Sequence, residues 1–158
     1  MSAPERGIFL RLIEHARRRS AWMFHFNAGA CNGCDIELVA CLSPRYDVEQ
    51  AGIRLEGSPR HADVFCVSGP VTRATHEPLR TIYAQLPDPK VVVALGSCPA
   101  TCNVFAGSPV VDGPLDRIIP VDIYVPGCPP RPHAMIEGIS RAIELLGARR
   151  PLDVGGPR

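Results

Sequence analysis

Three short, almost uninterrupted apolar runs mark the middle of the chain: residues 62–69 (ADVFCVSG), 90–97 (KVVVALGS) and 121–127 (VDIYVPG). Each is rich in β-branched residues, too short for a helix, and runs into a glycine loop. That is the pattern of parallel strands buried on both faces. Between the first two, residues 75–86 (THEPLRTIYAQL) have the pattern of a crossover helix. After the third, residues 132–147 (PHAMIEGISRAIELLG) predict a long amphipathic helix with a glycine stop. Upstream, residues 35–42 (DIELVACL) predict a helix and residues 48–56 (VEQAGIRLE) a further short strand. Strands alternating with helices imply an α/β fold, a doubly wound parallel sheet in a single domain.

The ends of the chain have a different pattern. Residues 6–19 place Ile8, Phe9, Leu12, Ile13 and Ala16 on one helical face and finish in Arg17, Arg18 and Arg19. The expected organisation is an N-terminal amphipathic helix over 1–20, an α/β domain over 21–147, and a flexible tail over 148–158, rich in Pro, Gly and Arg. The N-terminal helix is either a protein-docking element or a simple surface helix, and it is short for lipid binding. Trp22 to Phe26, with His25 among them, is aromatic enough for either an interface patch or ordinary core.

Composition narrows the classes. A chain of 158 residues is enough for one domain, which buries ~68–70% of its unfolded surface. A net charge of +1 argues against nucleic-acid binding through a basic surface. No apolar run approaches the ~20 residues that span a bilayer, and no secretory leader is legible, so a cytoplasmic protein is expected. In that reducing compartment the seven cysteines are expected to be metal ligands or redox groups rather than bridges.

Four of them fall in informative places. Cys31 and Cys34 form a close pair in ACNGCDIE, just ahead of a predicted helix. Cys98 lies in the loop after the second apolar run (GSCP), and Cys128 in the loop after the third (PGCPP). Functional groups in α/β sheets collect at the carboxyl ends of the strands, so the four thiols can meet at one edge. Glycines before the loop cysteines allow close backbone turns, and the prolines after them stiffen the loops. Four thiolates suit a 4Fe–4S cluster. They also suit structural zinc, although zinc sites usually draw on two close pairs and only one is present here. A thioredoxin-like disulfide would follow a strand and would leave Cys98 and Cys128 unexplained.

Taken together, CNGCDIE, GSCP and PGCPPRP resemble the small subunit of membrane-associated NiFe hydrogenases and the homologous B subunit of respiratory complex I. The likeness spans roughly residues 20–147. It implies a flavodoxin-like domain holding one 4Fe–4S cluster through Cys31, Cys34, Cys98 and Cys128. The complex I subunit has two adjacent cysteines where this chain separates Cys31 and Cys34, so the pattern is closer to the hydrogenases. The absence of an export signal and of a second cluster domain points to the short subunit of energy-converting and formate-hydrogenlyase-type complexes.

The resemblance implies a non-autonomous oxidoreductase subunit, without activity alone, on the cytoplasmic face of the membrane. Its partners would be a hydrogenase-type large subunit, a ferredoxin-like iron–sulfur subunit and integral-membrane subunits. The alternatives are a complex I-like quinone oxidoreductase, a relative lacking the NiFe centre, and, in another class, a zinc-stabilised interaction module.

Other residues carry two readings. Glu37 is either a proton relay near the site or a helix N-terminal acid. Asp35 in the same turn is expected to cap the helix. Cys102 is expected to be a non-ligand thiol, and Cys41 and Cys66 small core residues. Arg131 is either a partner-pairing group or a solvated helix-start arginine. His76 and His133 are expected at helix starts.

Overall fold

A computed structural model describes residues 20–149 together with Leu12, His15, Ala16 and Arg19. Most of the N-terminal helix expected over 6–19, and the tail beyond Arg149, lie outside the described residues.

The chain runs through β1 (Ala21–Asn27), α1 (Gly33–Cys41), β2 (Ile53–Leu55), β3 (Val64–Ser68), β4 (Val71–Thr72) and α2 (His76–Gln85). It continues through β5 (Val91–Leu95), the single turn α3 (Cys98–Thr101), β6 (Val111–Gly113), β7 (Ile123–Val125) and α4 (Pro132–Ala148). Five strands form one sheet in the order β2-β1-β3-β5-β7, every pairing parallel. This is the flavodoxin-like doubly wound arrangement, whose order reverses between β1 and β3. The short β4–β6 ribbon is antiparallel and separate.

The apolar runs are continuous because the central strands are covered on both sides. Every residue of β3 and β5 is buried. Val64, Cys66, Val91, Val93 and Leu95 meet a core with Leu38 and Cys41 of α1 and Met135, Ile139 and Leu146 of α4. The alternate residues Phe65, Val67, Val92 and Ala94 meet Leu79 of α2 with Leu115 and Ile119. Each strand therefore supplies two cores with period two. α4 lies very close to β7: a Cβ on Gly138 would come within 2.3 Å of Val125 Cγ2.

The expected elements at 62–69, 90–97, 121–127 and 75–86 are present with trimmed ends, and the helix expected over 132–147 runs to Ala148. The 48–56 segment divides into a 3₁₀ turn at Val48–Ala51 and β2. The aromatic segment at Trp22–Phe26 is the inner strand β1, paired on both edges, with Phe24 and Phe26 packed against the core and Trp22 exposed.

Candidate metal centre

All four candidate cysteines stand at the carboxyl edge of the sheet. The loop leaving β1 carries Cys31 and α1 begins around Cys34, so the pair does follow a strand, contrary to the sequence expectation. Cys98 and Cys128 follow β5 and β7. Cys34 and Cys98 are buried, whereas Cys31 and Cys128 are exposed.

Glycines set the close approach. Gly96 has φ +93°, and a Cβ there would lie 2.7 Å from the Cys34 sulfur and 3.4 Å from the Gly127 carbonyl oxygen. Any side chain would be strained by its backbone and would displace the thiol. Gly33 is an ordinary contact, with its built Cβ 3.6 Å from the Cys31 sulfur and 3.8 Å from Pro129 Cγ. That contact brings the cysteine pair against the Cys128 loop. The Cys128–Pro129 peptide bond is cis.

Ser97 stitches the two single-cysteine loops together. Its N–H donates to the Gly127 carbonyl at 2.8 Å, and its hydroxyl donates to the same carbonyl at 3.1 Å. The Gly127 N–H returns a 3.3 Å bond to the Ser97 hydroxyl. Sequence reasoning did not find this residue; its signal was only its place between Gly96 and Cys98.

The thiols act on one another electrostatically. Burial pushes Cys34 up to about 11, with further upward contributions from Cys98, Asp35, Cys31 and Cys128. Burial also raises Cys98, reinforced by Cys128 and Cys31 and opposed by a hydrogen bond from Asn103. Four thiolates in one place repel each other unless a cation stands among them, and metal coordination deprotonates a thiol outright. Among the described residues, no three His, Cys, Asp or Glu side chains form a group that could hold a single metal ion.

The remaining cysteines separate from the set to different degrees. Cys66 is fully buried in mid-sheet and pushed up to about 12 by desolvation. Cys41 is buried at the end of α1 and directs its Sγ at the Pro132 carbonyl at 3.6 Å. Cys102 is also buried, one turn past Cys98, and is raised by burial while Arg117 opposes the shift.

Asp35 does not cap α1, whose N-terminus has no side-chain cap. Its Oδ1 accepts the Ser68 hydroxyl at 2.6 Å and lies 3.2 Å from His25 Nε2, and its Oδ2 accepts the Asn27 side-chain amide. Position 35 follows a glycine-led first turn, and the pull of the β1 and β3 ends overrides the capping preference. Burial lowers the His25 imidazole from its ordinary value and Asp35 opposes the shift. His25 therefore belongs to this network beneath the loop. Glu37 is half-buried and its charge acts on Cys41. His76 pairs with Asp112, and His133 sits edge-on to Tyr46 at 5.2 Å between ring centres.

The flavodoxin-like sheet carries four cysteines at its carboxyl edge, and the relatives of this chain are subunits of oxidoreductases. The chain belongs to the family described as "NADH ubiquinone oxidoreductase, 20 Kd subunit", which matches residues 31–142. It is 57% identical over 128 residues to the probable membrane-bound hydrogenase subunit mbhJ of Pyrococcus furiosus, covering 81% of this chain and 77% of that one. It is 40% identical over 139 residues to the B subunit of the NADH-quinone oxidoreductase of Geotalea daltonii, covering 88% and 79%. Among solved structures, a chain of the archaeal membrane-bound sulfane sulfur reductase superposes with a TM-score of 0.76 at 37% identity, covering 87% and 76%. The hydrogenase and NADH-quinone oxidoreductase subunits are the relatives that the cysteine motifs anticipated. No helix among the described residues is long and apolar enough to cross a membrane.

Proposed function

We propose that this chain is the electron-transfer subunit of a membrane-associated hydrogenase complex, peripheral on the cytoplasmic face. Cys31, Cys34, Cys98 and Cys128 would hold one 4Fe–4S cluster, which stores and passes single electrons when bound. The observation that supports the reading is that three loops bring four cysteines to one carboxyl edge of the sheet, with Gly96 close against the Cys34 sulfur. The donor set fits the group, and Gly96 leaves room for the Cys34 sulfur where a side chain would not.

The protein's own work is placement and shielding. Ser97 locks the Cys98 loop to the Cys128 loop, and the glycines bring backbone close to sulfur. Cys34 and Cys98 face inward while Cys31 and Cys128 open to the surface, so the site is reachable from one side. Ile36 and Val39 are 67% and 65% exposed on α1, and Val104, close after the Cys98 turn, is 80% exposed. Apolar groups at this edge suit a covering large subunit that holds the NiFe site. A ferredoxin-like subunit and integral-membrane subunits would complete the complex. Glu37 is retained as a candidate proton relay.

The 57% identity to a hydrogenase subunit favours hydrogen chemistry. The likeness to the sulfane sulfur reductase and quinone-reductase subunits supports a second reading, in which the same wire serves a large subunit without nickel. Metal analysis of the anaerobically purified intact complex, with a hydrogen-evolution assay, separates the readings. Iron with nickel and hydrogen evolution is expected. Iron without nickel would select the second reading, and zinc without iron would overturn both.

A further inference from the structure

The polar cluster behind the cysteine pair is more extensive than a helix start requires. Asn27, at the end of β1, directs its Oδ1 into the ligand loop and accepts the Gly29 and Ala30 N–H groups at 2.9 Å and 2.8 Å. Its side-chain NH₂ faces the other way and donates to Asp35 Oδ2 and, at 3.3 Å, to Asn32 Oδ1. The other oxygen of Asp35 accepts the hydroxyl of Ser68, a fully buried residue at the end of β3. His25 Nε2 lies 3.1 Å from that hydroxyl oxygen. One hydrogen-bonded chain therefore grips the segment from Gly29 to Asp35 at both ends and anchors it to β1 and β3, where the strand order reverses.

The direction of these bonds restricts the residues. Because Asn27 must turn its oxygen to two backbone donors, its NH₂ must point at position 35. An acceptor is needed there, and a carboxylate supplies it while also accepting from Ser68. We propose that Asn27 and Asp35 are the positioning residues of the cysteine pair, a complementary amide–carboxylate clamp that fixes Cys31 and Cys34 for cluster binding and sets a fixed negative charge one residue from Cys34. The proposal rests on the cluster reading above and names residues that it did not.

The test is a charge swap in the intact complex, read by the iron held in excess of a Cys98→Ala complex and by retention of that iron against a chelator. The third reading is the midpoint potential of the signal that Cys98→Ala removes, from EPR-monitored titration. Asn27→Asp alone sets two carboxylates against each other and is expected to weaken iron retention about 10-fold. Asp35→Asn alone can turn its oxygen to Asn27 and its NH₂ to Ser68, whose hydroxyl then turns to His25. It is expected to keep iron and raise the midpoint potential, since a negative charge beside the cluster opposes reduction. The double variant Asn27→Asp/Asp35→Asn restores a donor facing an acceptor and is expected to recover iron retention. If Asn27→Asp prevents assembly, recovery of assembly and iron in the double variant supports the clamp equally. An Asn27→Asp complex loaded like wild type, a double variant as poor in iron as the single, or an unmoved potential in Asp35→Asn would overturn the clamp. Wild-type complex holding no more iron than Cys98→Ala would instead remove the cluster reading, and the clamp with it.

Discussion

Gly96 shows how a single position can govern the site. Its left-handed backbone, and the 2.7 Å that would separate a Cβ from the Cys34 sulfur, leave no room for a methyl group. Gly96→Ala is therefore expected to lower the iron of the assembled complex by most of one 4Fe–4S cluster while far-UV circular dichroism stays close to wild type. Full iron loading would show that the loop relaxes freely. Cys66 is the contrasting thiol, a core residue raised to about 12 from an ordinary 9.0. A thiol raised in the folded state stabilises it below pH 9, and that stability is lost as pH climbs toward 12. Three pH units at about 1.4 kcal/mol each bound the loss at about 4 kcal/mol. Cys66→Val should flatten this alkaline decline in thermal unfolding and leave iron content unchanged.

At the scale of elements, α4 and β7 approach so closely that Gly138 has no space for a side chain. The obstructing group belongs to Val125, whose branched side chain is stiff. Gly138→Ala is expected to cost about 1–3 kcal/mol in denaturant unfolding, with no loss of helix propensity to blame. An unchanged midpoint would contradict the packing described. β3, β5, β7, α2 and α4 were legible because central strands and amphipathic helices print burial directly into residue pattern. β1 was not, because Trp22, Phe24 and Phe26 look like an aromatic patch until partners on both edges show an inner strand. The β4–β6 ribbon, with strands of two and three residues, is too short to leave a period. Cys98 and Cys128 were placed at the edge from sequence because each follows a legible strand, whereas the Cys31–Cys34 pair was placed only by the helix behind it. The partners of Asp35 were not, since Asn27 and Ser68 reach it across 8 and 33 residues of sequence.

At the scale of the whole molecule, the sheet directs its chemistry to one edge and leaves apolar groups uncovered there. Ile36 and Val39 lie one turn apart on the helix that carries Cys34, both about two-thirds exposed. Ile36→Glu combined with Val39→Glu is expected to release the chain from its large subunit in pull-down while leaving its own fold intact. Undiminished association would place the partner on another face. That four thiols at this edge hold an electron-carrying cluster is tested most directly by EPR of the reduced, anaerobically purified complex, wild type beside Cys98→Ala. One cluster signal of the wild type should disappear in the variant, with the complex still assembled and the signals of the ferredoxin-like subunit unchanged. A wild-type complex without iron, or a full set of signals unchanged by loss of Cys98, would contradict the assignment.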